Sequence, residues 1–370
     1  MRFRLHTAAL FLIIPSIIPA AFAEQPEGTV YVASNEASGN RIIQFVRDEH
    51  GTLAPSGSFT TGGRGTSTGL GNQGGLVLSD NGRWLLAVNA GSDDISVFAV
   101  DPDGDSLRLV DRKASGGRRP ISIASKHGIV YVLNAGGAAG AADNISGFRL
   151  TRRGRLVAIS DSTAPLSAAN AGPAEIHFGS DDDELFVTEK NTNRIDVFQL
   201  DDFGSIRSVR TFNSTGVTPF GFAVSRFGTV LVSNAAGGAA NASSLTSYHF
   251  DDGLLNVLAG PVPTNQSAAC WVVVTRSGRF AYTTNTGSAS TSGYSIATDG
   301  TPTLLDGDGI TAATGKGPID ADFSFGEKFL YVLNSGDHTI SVFSVRHDGS
   351  LGVVGTTAGL PAGANGLAAR

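Results

Sequence analysis

The chain of 370 residues contains a single cysteine, Cys270, which excludes an internal disulfide bond and a cysteine-based metal cluster. Charged residues make up only 16% of the sequence, and the formal net charge is −6. The lysines and arginines form no basic stripe, so we expect no nucleic-acid partner. A chain of this kind must be stabilised by packing, which one closed domain of this length can supply.

Several catalytic and metal-binding signatures are also absent. No His-Glu-x-x-His segment occurs, which argues against a zincin-type metal site. Gly65–Gly69 matches Gly-x-Ser-x-Gly, but no helix is predicted after it, so we expect no nucleophile elbow there. Asp101–Asp105 resembles the start of a calcium loop, but Arg112 stands where a bidentate glutamate is expected. Residues 62–71 are glycine-rich, but no helix is predicted after them to bind phosphate. We therefore predict no metal and no cofactor.

Long apolar runs are missing beyond the N-terminus. The first 23 residues resemble a secretory signal peptide, with Arg2 and Arg4, an apolar stretch over 8–20 and small residues before a cleavage site after Ala23. The stretch is short and broken by two prolines, so it does not suit a membrane span. We predict a secreted or periplasmic protein, with residues 24–370 as one mature domain and no membrane-spanning segment.

Four Asn-x-Ser/Thr sequons occur in the chain, at Asn144, Asn213, Asn241 and Asn265. In a eukaryotic secretory pathway such sequons are acceptor sites for glycans, whereas in a bacterium they have no such role. The sequence leaves this choice open.

Glycine is abundant, with 48 residues, and a unit of sequence is repeated seven times. Each unit has an apolar run that usually ends in Asn, then a loop of small residues, then a short strand that ends in an aromatic residue. A period of roughly 50 residues built from strands is typical of a β-propeller, because one small sheet cannot bury both faces alone. The aromatic residues are Phe45, Phe98, Phe148, Phe198, Tyr248, Tyr294 and Phe343.

We predict an all-β fold, a seven-bladed β-propeller whose blades each have four strands, named A to D from the central channel outward. In the last unit, strand A follows Pro318, and an Asp348-Gly349 hairpin joins strands C and D. The mature chain opens with a strand B over 30–35, and the tail over 361–369 resembles one more strand A. We therefore predict that the terminal segments pair, complete blade one and close the ring.

The strand order divides the loops between two rims of the ring. The B–C loops and the segments that lead into strand A share one rim, which we call the B–C rim. The A–B and C–D turns share the other, the A–B rim. The B–C loops vary in length, with Gly/Ala-rich insertions over 136–144 and 235–244. Variable loops on a rigid frame are where function usually lies, so we expect a small-molecule substrate near this channel mouth, bound by a monomer.

The third position of strand A supplies two candidate catalytic or binding residues, Glu175 and Asp320. Partial burial at the channel would raise a carboxyl pKa towards acid–base use. The alternative is that each carboxylate binds backbone amides or water. Small residues predominate at this position: across the blades and the tail it holds Gly75, Ser122, Glu175, Gly221, Trp271, Asp320 and Gly366.

Polar residues just before strand A add further candidates. Arg118 and Arg119 precede it in blade three, and Gln73 precedes it in blade two. Arginines and carboxylates around a narrow mouth suit a small anionic or hydroxylated ligand, so we assign these three residues to substrate binding. Trp271 is expected either to form a pocket wall or to lie in the core.

The end of strand B holds Asn in six blades, but Glu189, followed by Lys190, in blade four. An Asn side chain there can cap the loop by binding local backbone groups. Asn134 is nevertheless kept as a candidate substrate-binding residue. For Glu189 and Lys190 the alternatives are a catalytic role and an exposed ion pair on the rim.

The unit Ser-x-x-Gly-Arg-apolar-aromatic-x-x-Asn, followed by Ile-Ser-Val-Phe and Asp-Gly-Ser-Leu, resembles the seven-bladed lactonase family. That family includes bacterial 6-phosphogluconolactonases and fungal carboxymuconate lactonising enzymes, and the resemblance covers nearly the whole mature chain. Its enzymes typically carry His, Arg and Glu in slots that correspond to Ala174, Phe220 and Ala235 here. The resemblance therefore implies the family fold in a divergent, secreted branch.

The leading hypothesis is a lactonase-like enzyme that hydrolyses or isomerises a small lactone or ring-forming substrate by acid–base chemistry without a metal. Glu175 would be the general acid/base, with Glu189 and Lys190 as further catalytic candidates. Arg118 or Arg119 would hold an anionic group, and Asp320 would help to orient it. The alternative is a non-catalytic propeller that binds a protein or glycan through its B–C loops.

Overall fold

The computed structural model describes residues 27–102 and 106–370. It contains seven antiparallel sheets, each with a four-stranded path from the channel outward, which confirms the predicted all-β propeller. The predicted signal peptide, residues 1–23, and residues 103–105 of the turn that resembles a calcium loop lie outside the described residues. In the described part, no helix is long and apolar enough to cross a membrane.

The blades follow one another in chain order, and blade one combines both ends of the described chain. The A strands, from blade one to blade seven, are Leu367–Ala369, Leu76–Leu78, Pro120–Lys126, Pro173–Phe178, Pro219–Val224, Ala269–Val274 and Pro318–Phe323. The B strands are Gly28–Ala33, Trp84–Asn89, Ile129–Asn134, Glu184–Glu189, Thr229–Asn234, Phe280–Asn285 and Phe329–Asn334. The C strands are Arg41–Arg47, Asp94–Val100, Asn144–Leu150, Arg194–Leu200, Ser244–Asp251, Ser290–Ile296 and Thr339–Val345. The D strands are Leu53–Thr60, Leu107–Ala114, Leu156–Pro165, Ile206–Asn213, Leu254–Pro263, Pro302–Leu304 with Ala312–Ala313, and Leu351–Ala358.

Pairing between the two ends of the described chain closes the ring, as predicted. Leu367–Ala369 runs antiparallel to Gly28–Ala33, with Leu367 opposite Val32 and Ala369 opposite Val30. The tail thus supplies the strand A that blade one would otherwise lack, and it covers an edge of strand B whose backbone groups would be unpaired.

The core lies between neighbouring blades, and this explains why the B strands are apolar on both faces. In blade seven, for example, every residue of Phe329–Asn334 is buried. All seven repeated aromatic residues are buried as well. Tyr282 adds a polar link, because its hydroxyl donates to the carbonyl of Gly349 in the next blade's C–D turn (2.7 Å). A side chain at Gly349 would clash with Phe280, and its φ of +86° also favours glycine.

The B–C loops differ between blades as the sequence indicated. The long loops of blades three and five contain short 3₁₀ helices, Gly136–Ala139 and Ala236–Gly238. Most of the other connections are tight turns, so the barrel of inner strands is a rigid frame around the axis.

Candidate functional site

A cavity of about 560 Å³ lies along the axis of the ring. All seven A strands contribute to its wall, mainly through their later residues and the first residues of the A–B turns. The cavity, which we call the axial pocket, therefore extends towards the A–B rim rather than the B–C rim. Its size falls in the range of about 300–1,000 Å³ that is usual for small-molecule sites.

Gln73 forms the inner end of this pocket. Its side-chain amide donates to the carbonyl of Val272 (2.8 Å) and accepts from the Val272 N–H (3.0 Å). Blades two and six lie on different sides of the ring, so the side chain crosses the channel and closes it. The predicted substrate-binding residue thus uses both of its polar atoms for a backbone contact.

Glu175 lies on the pocket wall and is almost completely buried. Its Oε2 accepts a hydrogen bond from the N–H of Phe222 in the next blade (2.6 Å). Burial raises its pKa well above the usual value, and the Asp320 carboxyl raises it further, against the effect of the Phe222 N–H. Burial therefore favours the protonated form of Glu175, and Oε1 is left for a further contact.

His177 is a further residue of the pocket wall, which the sequence analysis did not single out. It stands two residues after Glu175 on the same strand, so both side chains face the channel. The side chain lines the axial pocket, and the surrounding blades separate it from bulk water. This desolvation lowers the pKa of His177, and the positive charge of Lys126 lowers it further. The alternation of residues along the strand was the signal that could have found it.

Asp320 and Asp322 show the same alternation on blade seven, and Asp322 was also missed. Asp320 Oδ2 accepts from the Leu367 N–H and Asp322 Oδ2 from the Ala369 N–H, both at 2.9 Å. Burial raises the pKa of Asp320 to about 8 and that of Asp322 to about 6. These carboxyls line the axial pocket and also bind the strand that closes the ring, as the alternative interpretation of Asp320 expected.

Lys126 and His127 lie at the outer end of the pocket. The Lys126 ammonium donates to the carbonyls of Gly179 and Ser180 and forms an ion pair with Asp182 (2.9 Å). The charge of Lys126 is therefore largely compensated by its neighbours. Deeper in the pocket, the wall carries the His177 imidazole and the carboxyl groups described above.

Glu189 and Lys190 lie on the other rim, and they do not form the exposed ion pair that was one alternative. Glu189 is fully buried, and its carboxylate accepts hydrogen bonds from the N–H and hydroxyl of Ser167 and from the hydroxyl of Thr192. Asp196 lies beside it, and burial together with Glu189 raises the Asp196 pKa to about 7. Other blades place an Asn and a Ser here, as Asn285 and Ser292 show.

Lys190 donates to the carbonyls of Gly71 (2.5 Å) and Pro173 (2.6 Å) and lies 4.8 Å from the ring centre of Phe220. Burial lowers its pKa to about 8. The ammonium therefore connects blades two, four and five on the B–C side of Gln73. It is not among the residues that line the axial pocket.

The other predicted residues are also placed away from the pocket wall. Arg118 is largely exposed and lies 3.5 Å from Asp93, whose carboxylate also accepts from the Arg119 N–H. Asn134 is fully buried, with its amide directed to the carbonyl of Ser115. Trp271 is a core residue that packs on Phe220 at 5.1 Å between ring centres. Of the nine site residues predicted from the sequence, three therefore line the axial pocket: Gln73, Glu175 and Asp320. The other six lie elsewhere.

No group of three or more His, Cys, Asp or Glu side chains in the described ranges is arranged to hold a metal ion. The inner part of the axial pocket instead holds the Glu175 carboxyl, the His177 imidazole and the carboxyls of Asp320 and Asp322, and its outer part holds Asp80, Lys126 and His127. Such a set can donate and accept protons around a bound molecule.

Comparison with known sequences gives the family. A profile described as "Lactonase, 7-bladed beta-propeller" matches residues 19–139, 141–259 and 254–368. The chain belongs to this lactonase family. No curated protein sequence matches the chain significantly.

Solved structures of other lactonase-fold proteins share the architecture. A candidate 6-phosphogluconolactonase from Bacteroides fragilis is 18% identical, with a TM-score of 0.71 over 95% of this chain and 99% of that one. One from Bacteroides uniformis is 20% identical, with a TM-score of 0.70 over 92% and 99%. The periplasmic gluconolactonase of Pseudomonas aeruginosa is 14% identical, with a TM-score of 0.72 over 92% and 98%. At these identities the likeness shows the fold.

This lactonase-family chain has apolar residues in the slots where the resemblance placed the family's His, Arg and Glu. Ala174, Phe220 and Ala235 are all buried in one apolar cluster that also contains Cys270 and Trp271. The B–C side of the channel is therefore packed with hydrophobic side chains, and the polar pocket lies on the opposite side of Gln73.

Proposed function

We propose that this protein is a lactone hydrolase whose reaction takes place in the axial pocket, with Glu175 and His177 as the acid–base pair. One observation carries the proposal: a pocket closed at one end places a carboxylic acid and an imidazole on the same face of one strand. Perturbed titratable groups that converge in a cleft are typical of active sites.

The protonation states suit ring opening near neutral pH. The lowered pKa leaves His177 unprotonated, so it can take a proton from water. Burial raises the pKa of Glu175 and so favours its protonated form, to which we assign the role of proton donor. Because Glu175 Oε2 is occupied by the Phe222 N–H, we assign the acidic proton to Oε1.

The proposed reaction adds one water molecule to the lactone. His177 accepts a proton from water as the water oxygen attacks the carbonyl carbon. The bond between that carbon and the ring oxygen then breaks, and Glu175 donates its proton to the departing oxygen. The product is a hydroxy acid, and the proton on His177 returns through solvent to the Glu175 carboxylate. The same groups would serve ring closure in reverse, so cyclisation remains within this proposal.

Asp320 and Asp322 would orient the substrate, because carboxyl groups on the opposite wall can accept hydrogen bonds from ring hydroxyls. Arg118, Arg119, Glu189 and Lys190 are given no direct catalytic role in this proposal, because none of them lines the axial pocket. The protein would thus differ from a family member that reacts through His, Arg and Glu at the slots of Ala174, Phe220 and Ala235.

The alternative is a non-catalytic propeller that binds a protein or glycan through its B–C loops. Such a surface would expose large apolar side chains. Among the described residues, the exposed large hydrophobic side chains lie on outer strands and on A–B or C–D turns, apart from Val217 and from Ile310, which lies between the two parts of strand D in blade six. This distribution favours the enzyme proposal.

A turnover assay tests the proposal directly. The purified protein is incubated with aldono-lactones, simple five- and six-membered lactones and muconolactones, and acid release above the spontaneous rate is followed with a pH indicator. Glu175→Gln and His177→Gln are compared with Glu49→Gln, which changes an exposed carboxylate far from the pocket. We expect a loss of about 10²–10⁴-fold for the first two and none for the third.

Glu175→Gln keeps an oxygen that can accept from the Phe222 N–H, so the variant should fold like the wild type. The proposal would be overturned if no lactone in the panel is hydrolysed, or if Glu175→Gln and His177→Gln retain the full rate.

A further inference from the structure

A second cavity adjoins the axial pocket on the A–B rim. Its volume is about 850 Å³, larger than that of the axial pocket itself. Six residues line both cavities and form their shared boundary: Leu78, Asp80, Val274, Asp322, Phe323 and Ala369. A ligand in the axial pocket can therefore continue past Asp322 into this second space, which a single-ring lactone would leave empty.

The lining of the second cavity is polar and of mixed charge. Arg276 and Arg370 provide guanidinium groups, Glu27 and Glu327 provide carboxylates, and Asn81 and Ser324 provide an amide and a hydroxyl. With Asp80 and Asp322 on the shared boundary, the carboxylates outnumber the guanidinium groups, so the lining lacks the excess of positive charge that a phosphate or polyanionic ligand needs. It suits an uncharged ligand with many hydroxyl groups.

An aromatic side chain stands at the edge of this cavity. Phe325 is 71% exposed, and the guanidinium carbon of Arg276 lies 4.8 Å from its ring centre. Arg276 covers one face of the ring, and the exposure leaves the other face available for packing. A flat apolar surface beside hydrogen-bonding groups matches a sugar ring, which has an apolar face of C–H groups and an edge of hydroxyls.

We propose that the second cavity is a subsite for a sugar unit, so that the substrate is the lactone end of an oligosaccharide. This inference rests on the proposed function, because it takes the axial pocket as the place of the lactone ring. The attached sugar extends towards Phe325 and Arg276, and the Asp322 side of the boundary lies beside the bond between the two units.

Binding and turnover are measured separately to test the subsite. The probes are gluconic acid and its 4-O-glucosyl derivative for calorimetry, and the two corresponding lactones for kinetics. Phe325→Ala is compared with Phe203→Ala, because Phe203 is also 69% exposed but lies in the C–D turn of blade four, away from both cavities.

We expect the disaccharide acid to bind more tightly than gluconic acid. Phe325→Ala should weaken disaccharide binding by about fivefold to tenfold and leave gluconic acid unaffected, since the lost contact concerns the second unit. Phe203→Ala should change neither, and KM for the disaccharide lactone should follow the same pattern.

The outcomes separate the two proposals. If both lactones are hydrolysed with equal kcat/KM and Phe325→Ala has no effect, the subsite is refuted while the lactonase function stands. If the disaccharide acid binds in a manner that depends on Phe325 but neither lactone turns over, the sugar subsite is supported and hydrolysis is refuted. Equal weakening by Phe203→Ala and Phe325→Ala would also refute the subsite.

Discussion

The side chain of Gln73 forms two hydrogen bonds with the main chain of Val272, which lies 199 residues later in the chain. Val272 is the fourth residue of its strand A, and its N–H faces the preceding blade. That blade has Gly221 at the third position, where a Cβ atom would lie only 2.1 Å from Gln73 Oε1. In blades three and four, by contrast, Ser122 and Glu175 bind the equivalent N–H groups. Gln73 therefore replaces a side chain that blade five lacks.

Gln73→Met should lower the free energy of unfolding by about 1–3 kcal/mol, because it leaves the Val272 N–H and carbonyl without their partner in a crowded channel. Urea denaturation at pH 7 measures the change. Gln199→Met is the matched control, since Gln199 accepts only one hydrogen bond, from Ser208 at the exposed side of blade four. Equal stability of the two variants would contradict the role given to Gln73.

The proposed acid–base pair predicts a bell-shaped pH dependence of kcat/KM. At low pH the rate should fall as His177 is protonated, below its usual pKa of 6.5. At high pH it should fall as Glu175 loses its proton, above its usual pKa of 4.5. Any residual activity of His177→Gln should lack the acid limb, and that of Glu175→Gln the alkaline limb. If both variants keep the acid and the alkaline limb of the pH dependence, other groups than His177 and Glu175 must cause it.

Asp320 should contribute to the closure of the ring, because its two oxygens accept from the N–H groups of Ala321 and Leu367. Asp320→Ala leaves both donors unpaired and should cost about 1–3 kcal/mol of unfolding free energy at pH 6. Asp320→Asn keeps one acceptor oxygen and should lose less. Hydrogen exchange should show faster opening of Leu367–Ala369 in the Ala variant, and equal protection in the two variants would exclude this role.

The Glu189–Asp196 pair predicts a pH-dependent cost in stability. The pKa of Asp196 is raised from 3.8 to about 7 by folding, so the unfolded chain releases this proton at lower pH. Stability should therefore fall as pH rises from about 4 to about 7 and stay lower above that. The double variant Glu189→Asn, Asp196→Ser introduces the pair found in blade six, Asn285 and Ser292, and removes the Asp196 carboxyl.

The variant should lose less stability than wild type between pH 4 and pH 8, by about 1–3 kcal/mol, since one pKa unit corresponds to about 1.4 kcal/mol. Urea midpoints across this range measure the difference. Parallel curves for the two proteins would show that Asp196 does not titrate as proposed.

Individual residues show how far the sequence analysis reached. The repeated aromatic residues, such as Phe98 and Phe343, were enough to predict the position of every blade, because the buried strand that carries them has the same apolar pattern in each unit. Comparison of the third residue of strand A across the blades singled out Glu175 and Asp320, and both line the axial pocket. It missed His177 and Asp322, two residues further along the same strands, although strand alternation predicts a shared face.

The sequence by itself determined the seven blades, their strand order and the pairing of the tail with the first strand, since these follow from local periodicity and an unpaired edge. Only the tertiary structure decided which end of the channel is open. That choice depends on contacts between distant residues: Gln73 with Val272, Lys190 with Gly71, and Phe220 with Trp271. The repeated sequence shows where each side chain lies within its own blade. Which side chains fill the central channel depends on contacts between blades that are distant in sequence.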